Sequence, residues 1–168
     1  IVPTLWSGVE LPECRPFGVP TMVKSRHGCN QNIVLRQPLS PKEWQAVRRR
    51  AAHWVSHPYG RWLDEPGYFD VPRGLLAERL LGNGGPLPQD YKIYVFGGEA
   101  THVQIHFDRE HAHRWVLCDR AGTPLVMPAE GAPPLPQSLA EMIRAAERMA
   151  AGFDFARIDF YEVDRQPL

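Results

Sequence analysis

Between Phe153 and Val163 the chain reads Phe-Asp-Phe-Ala-Arg-Ile-Asp-Phe-Tyr-Glu-Val. Apolar and aromatic residues dominate, and polar ones recur at a spacing of two. Side chains alternate faces along a strand, so this pattern predicts a buried β-strand with Arg157 and Asp159 on one face and Ile158 and Phe160 on the other. A cation and an anion inside an apolar strand are costly unless something satisfies them. A phosphate for the arginine and a divalent cation for the aspartate would do so. A local Arg–Asp pair on a solvated face would do so equally.

The same patterning predicts the remaining elements. Thr21–Ser25 and Asn32–Arg36 are short strands on either side of the polar loop 26–31, which contains Gly28. The tip of such a hairpin can fold its N–H groups over a phosphate, with Lys24 as a nearby point charge. An ordinary hairpin with Lys24 reaching to water fits the pattern too. Ser40-Pro-Lys-Glu43 is a capping box that opens a helix running to Ser56, with Trp44, Val47, Ala51, Trp54 and Val55 as its apolar stripe and His57-Pro58 as its stop. Residues 59–74 are loop-like and carry Tyr59, Trp62, Tyr68 and Phe69. Leu75–Leu81, bracketed by Gly74 and Gly82, predicts a strand whose Glu78 needs a partner. After a hinge-like loop at 83–89, Asp90–Phe96 and Glu99–Asp108 form a hairpin about Gly97-Gly98. Thr101, Val103, Ile105 and Phe107 are expected on its apolar face. A further hairpin is expected from Arg114–Asp119 and Pro124–Met127. Ser138-Leu-Ala-Glu141 reads as a second capping box. The helix it opens is expected to turn Leu139, Met142, Ile143, Ala146 and Met149 inward and to stop at Gly152. Residues 1–20, with four prolines, predict an irregular lead-in. The last residues, Asp164–Leu168, predict a turn with a returning partner, so the chain is expected to be a fragment.

Composition narrows the chemistry. With 168 residues there is room for one core or two small lobes. The net charge is zero, which favours neither nucleic acid nor an anionic membrane as a partner. Cys14, Cys29 and Cys118 lie far apart without a CxxC, which argues against a disulfide framework or thiolate zinc site and fits a reducing, cytoplasmic setting. No apolar run approaches the roughly 20 residues of a membrane span. His102, His106, His111 and His113 suggest zinc, but His102 and His106 would stand roughly 13 Å apart along a strand, too far to share one ion. Only three lysines occur, Lys24, Lys42 and Lys92, which singles out the two that lie in strands.

In chain order, then, a lysine strand precedes a glycine loop, and a carboxylate strand precedes a hinge. A second lysine follows Asp90 on a hairpin strand, and Arg-x-Asp lies on a late strand. Val19-Pro-Thr-Met-Val-Lys-Ser-Arg-His-Gly-Cys-Asn30, Leu76-Ala-Glu-Arg-Leu-Leu81, Asp90-Tyr-Lys-Ile-Tyr-Val-Phe-Gly-Gly98 and Phe153–Tyr161 resemble the TupA-like branch of the ATP-grasp superfamily. The resemblance implies an α+β fold in which two α+β lobes with antiparallel sheets enclose a nucleotide cleft. The smaller lobe would span 21–82, and the larger, incomplete at its C-terminus, 83–168. It implies ATP and Mg2+ as cofactors. Lys24 would hold the α/β-phosphates, with Ser25, Gly28 and Asn30 in the loop that covers them. Glu78, Leu80 and Leu81 would serve the adenine side of the hinge, and Asp90 the ribose. Lys92 would face the γ-phosphate or an acyl phosphate, Arg157 would lie near the transferred phosphoryl group, and Asp159 would bind magnesium. A Glu and an Asn expected on the returning strand do not occur before Leu168, so the site is expected to be incomplete and the fragment inactive.

The implied activity is a carboxylate–amine ligase acting through an acyl phosphate, in cell-surface polysaccharide or peptide-conjugate biosynthesis. Its partners would be ATP and a small-molecule, glycan or peptide carboxylate. Two alternatives remain: a glycosyltransferase, which would want a DxD-type motif that the chain lacks, and a non-catalytic nucleotide-binding module.

Overall fold

A computed structural model describes residues 2–60, 66–82, 85–126 and 131–168. Trp62, the Asn83-Gly84 hinge and Met127 lie outside the described residues. The chain divides into two compact units, Ile1–Gly84 and Gly85–Leu168.

Among the described residues the first unit is a four-stranded sheet with one α-helix and a short 3-10 turn at Pro66–Tyr68. Strands β1 (Thr4–Gly8), β2 (Thr21–Ser25), β3 (Asn32–Leu35) and β4 (Leu75–Arg79) lie in the order β1-β4-β2-β3, all neighbours antiparallel. The N-terminal stretch is therefore not an irregular lead-in. The prolines break it only outside Thr4–Gly8, and those five residues complete the edge beside β4, with Trp6 against the core. Helix α1 (Pro41–Ser56) begins as its text requires: Ser40 Oγ accepts from the Glu43 N–H, and the Glu43 carboxylate accepts from the Ser40 N–H. Its Trp44, Ala51 and Trp54 are buried against Val23, Leu35, Leu75 and Ala77, the inward face of the sheet.

The second unit is a six-stranded antiparallel sheet backed by α2 (Leu139–Met149). Its strands are β5 (Asp90–Phe96), β6 (Glu99–Phe107), β7 (Arg114–Asp119), β8 (Pro124–Val126), β9 (Phe155–Val163) and β10 (Gln166–Pro167). They run in the order β10-β9-β5-β6-β7-β8. Asp164 and Arg165, both at positive φ, turn β9 into β10. One face of the sheet packs on the helix: Tyr91, Ile93, Val95, Val103, Ile105, Val116 and Phe160 meet Met142, Ile143 and Ala146. The other face carries the charges.

Four expectations need correcting. The stretch 153–163 is not buried throughout: Phe153 and Phe155 are exposed, and only Phe160 is fully inward, because α2 covers a single face of β9. A bulge in the β5–β6 pairing, where Tyr94 faces His102 but Val95 faces Ala100, removes Thr101 from the apolar register and puts Ala100 in its place. Ser138 forms no capping box. Its N–H and hydroxyl both donate to Glu162 on β9, at 2.8 and 2.6 Å, and a neighbouring strand thus does what Glu141 was expected to do. Met149 is exposed, and Ala150, fully buried at the helix end, closes the core instead.

Candidate functional site

The register of β5 against β9 builds a charged face rung by rung. Lys92 lies opposite Asp159, Asp90 opposite Tyr161 and Tyr94 opposite Arg157. Because the spacing along each strand is two, all six side chains stand on the sheet face away from α2. Lys92 Nζ donates to Asp159 Oδ2 at 2.7 Å and lies 2.8 Å from Asp90 Oδ2. Arg157 Nε donates to Asp159 Oδ1 at 2.8 Å. Arg109, in the turn after β6, donates to the Tyr161 hydroxyl at 3.1 Å and approaches Asp90 at 3.7 Å. Asp90 is buried, so this neutralisation is a condition of its being there.

The electrostatics follow from these contacts. Burial pulls the Lys92 ammonium down, but hydrogen bonds to Asp159 and Asp90, with their negative charge, outweigh it and raise the group above an ordinary lysine. Burial pushes the Asp159 carboxyl up, and Arg157 and Lys92 together bring it below the usual range. His106, cross-strand from Asp90, is held down chiefly by burial, against the pull of Asp90, and its Nδ1 lies 2.7 Å from His113 Nε2. Burial likewise raises the Cys118 thiol, which sits in the core.

In the first unit Lys24 and Glu78 form an ion pair at 2.5 Å. They are diagonal neighbours on β2 and β4, on the face away from α1. Ser25 does not join Lys24. It falls on the opposite, buried face, where its hydroxyl donates to the Gly28 carbonyl at 3.5 Å. Gly28 is required by space, since a Cβ there would come within 2.8 Å of the Tyr59 ring. The left-handed position of the loop is Asn30, at φ 58°. The loop is anchored by His27, whose buried ring contacts the Trp54 carbonyl at 2.9 Å and accepts from the Gly74 N–H at 3.3 Å. Leu80 is buried and its N–H donates to the Pro20 carbonyl, while Leu81 is half-buried.

Lys92, Asp90, Asp159 and Arg157 thus form one group, and Lys24 with Glu78 another. Arg109 and Tyr161 belong to the first group and were not singled out from sequence. Tyr161 could have been, as the next residue of Asp159's own face. Arg109 could not, because a turn rather than strand parity places it.

The resemblance also implies a magnesium ion at Asp159. Both oxygens of that carboxylate already accept from cations, and among the described residues no group of three metal-ligating side chains converges. Magnesium takes about six oxygens. The described side chains do not fit it on their own.

A family model for TupA-like ATP-grasp proteins matches residues 59–167. The chain belongs to the TupA-like ATP-grasp family. Its two antiparallel sheets with few helices are the α+β architecture of the ATP-grasp fold. Among solved structures this TupA-like chain is similar to D-alanine–D-alanine ligase from Bacillus anthracis, at 15% identity and a TM-score of 0.46 over 89% of this chain and 42% of that one. A structure of that ligase complexed with ATP gives 11% identity and a TM-score of 0.43, with 89% and 41% covered. The chain therefore spans well under half the length of either structure. No curated protein matches it. Among the described residues no helix is long and apolar enough to cross a membrane.

Proposed function

We propose that this chain contributes the nucleotide site of an ATP-dependent ligase that joins a carboxylate to an amine or similar nucleophile, in cell-surface polysaccharide or peptide-conjugate biosynthesis. A carboxylate oxygen attacks the γ-phosphorus of ATP and ADP leaves. The nucleophile then attacks the acyl carbon of the acyl phosphate, inorganic phosphate departs, and the nucleophile's proton goes to solvent. Such transfer depends on positioning and charge neutralisation more than on a covalent enzyme intermediate.

The observation that carries the reading is the Lys92–Asp159–Arg157 group beside Asp90 on the sheet face away from α2. Lys92 and Arg157 would take the charge of the transferred phosphoryl group, Asp90 the ribose, and Lys24 the α/β-phosphates. Glu78, Leu80 and Leu81 would serve adenine. Gly28 and Asn30 would carry the loop over the phosphates, and Ser25 would hold that loop's shape from within. Asp159 would set the positions of Lys92 and Arg157 by bonding both, and its proposed role toward magnesium would need oxygens from bound phosphates and water.

Calorimetric titration with ATP tests this. Wild-type protein is expected to bind, and Lys24→Ala to weaken binding tenfold or more. Equal affinity in the two proteins would remove Lys24 from the nucleotide site.

A further inference from the structure

The loop after β2 carries a further cation, Arg26. The pairing of β2 with β4 continues one residue past Ser25, where the Arg26 N–H donates to the Gly74 carbonyl at 2.9 Å. Leu75 and Ala77 point into the core, so Gly74 falls on the opposite face, the one that carries Lys24 and Glu78. The Arg26 guanidinium lies on that face too. It fills the space of the side chain that Gly74 lacks: a Cβ there would stand 2.6 Å from Nε and 2.7 Å from Cζ. Gly74 is buried beneath it, and Arg26 itself is exposed.

Covering Gly74 accounts for the body of this side chain and leaves its charge unexplained. Glu78 is the one acid in β1–β4, and Lys24 takes it at 2.5 Å. Among the described residues the Arg26 guanidinium donates to no acceptor and pairs with no carboxylate, Asp70 of the neighbouring loop included. The same loop holds unsatisfied amides. Among the described residues the N–H groups of Gly28, Cys29 and Asn30 donate to nothing, and Asn30 sits at φ 58°. Successive amides beside a left-handed residue form an anion-binding concavity. A guanidinium held in place without a counter-ion, in a loop with free amides, matches a phosphate, whose oxygens it binds two at a time. We infer that Arg26 binds the triphosphate of the nucleotide as the loop's uncommitted cation, while Lys24 is shared with Glu78. Arg26 follows Lys24 by two residues, roughly 7 Å along the strand, an interval that one triphosphate spans. Arg26 therefore selects for the phosphate chain and not for the nucleoside. This rests on the ligase reading, because that reading supplies the nucleotide.

Calorimetry on the whole chain tests it, with ATP, inorganic tripolyphosphate and adenosine as probes and Arg26→Met as the variant. Methionine still covers Gly74 and lacks the charge, and circular dichroism would show the variant folded. Wild-type protein should bind ATP and tripolyphosphate. Arg26→Met should weaken both about tenfold, and Arg26→Lys, which keeps the charge, should weaken them less. Adenosine should bind wild type and Arg26→Met alike. A loss for adenosine equal to that for ATP would mark Arg26 as structural and overturn the inference. ATP binding that is the same in wild type and Arg26→Met overturns the inference alone and leaves the ligase reading standing. Tripolyphosphate binding that depends on Arg26, without ATP binding, supports the role of Arg26 and overturns the ligase reading. Binding of neither ATP nor tripolyphosphate overturns both.

Discussion

Replacing Lys92 by Met keeps the length of the side chain and removes the ammonium shared by Asp90 and Asp159. Two contacts to one Nζ, of 2.8 and 2.7 Å, place those carboxylate oxygens at most about 5.5 Å apart. Without the ammonium they repel by on the order of 3 kcal/mol at an effective dielectric of about 20. Asp90 keeps Arg109 at 3.7 Å and Asp159 keeps Arg157, so part of the charge remains compensated. Breaking a buried pair from one side costs about 3–5 kcal/mol, and the surviving arginines reduce this to about 2–3 kcal/mol here. Thermal melts followed by far-UV circular dichroism should show Tm lowered by roughly 5–10 °C. Asp90→Asn added to Lys92→Met should recover about half of the loss, since it removes the repulsion. A single variant that melts within about 1 kcal/mol of wild type, or a double variant no more stable than the single, would refute the reasoning.

The pH dependence has a definite sign. The Lys92 ammonium is raised in the folded protein, so its contribution is complete below the unfolded value, near 10.4, and is lost as pH rises through the higher folded one. The Asp159 carboxyl is lowered, so its contribution is present above about 3.9 and lost as pH falls through its folded value. The contributions of Lys92 and Asp159 should therefore be flat through neutral pH, whereas His106, held down in the fold, should make stability fall as pH drops below its unfolded value near 6.5. In Lys92→Met one of the groups that lowers Asp159 is gone, and the acid limb of a pH titration should move to higher pH.

Two other substitutions test the packing. Met142→Ala, in the core between α2 and the sheet, should cost about 2–4 kcal/mol in urea unfolding, whereas Met149→Ala, at 62% exposure, should stay within about 0.5 kcal/mol of wild type. Gly28→Ala would drive a methyl group into the Tyr59 ring and Gln31 and should cost about 1–2 kcal/mol by the same measurement.

Strand parity and capping text made much of the fold legible. Ser40-Pro-Lys-Glu43 marks the start of α1 because the capping box is a local bond pattern, complete within four residues. Arg157 and Asp159 could be anticipated as neighbours because they lie two apart on one strand, whereas Lys92 opposite Asp159 depends on the β5–β9 register, which strand parity does not give. What the text could not carry was anything set by a single extra residue or by a partner from elsewhere in the chain. The bulge at Thr101 changes the faces of β6 without a glycine or proline to announce it. Ser138-Leu-Ala-Glu141 has the letters of a capping box, yet Glu162, brought by β9, takes the serine first. Ala150 takes the core place expected of Met149 because positions 149 and 150 both follow Ala146 at helical spacing, and the Ala150 N–H, still bonded to the Ala146 carbonyl, keeps the inward turn going.

The same distinction governs the charged face. Arg109 follows Asp108, which sits at φ 51°, and it is that left-handed turn after β6 that carries the guanidinium back toward Asp90 and Tyr161. No periodicity predicts it. Yet without a second cation Asp90 would be a buried carboxylate leaning on Lys92 alone. The residue that strand parity could not place is thus the one that gives Asp90 a second cation, Arg109 at 3.7 Å beside Lys92 at 2.8 Å.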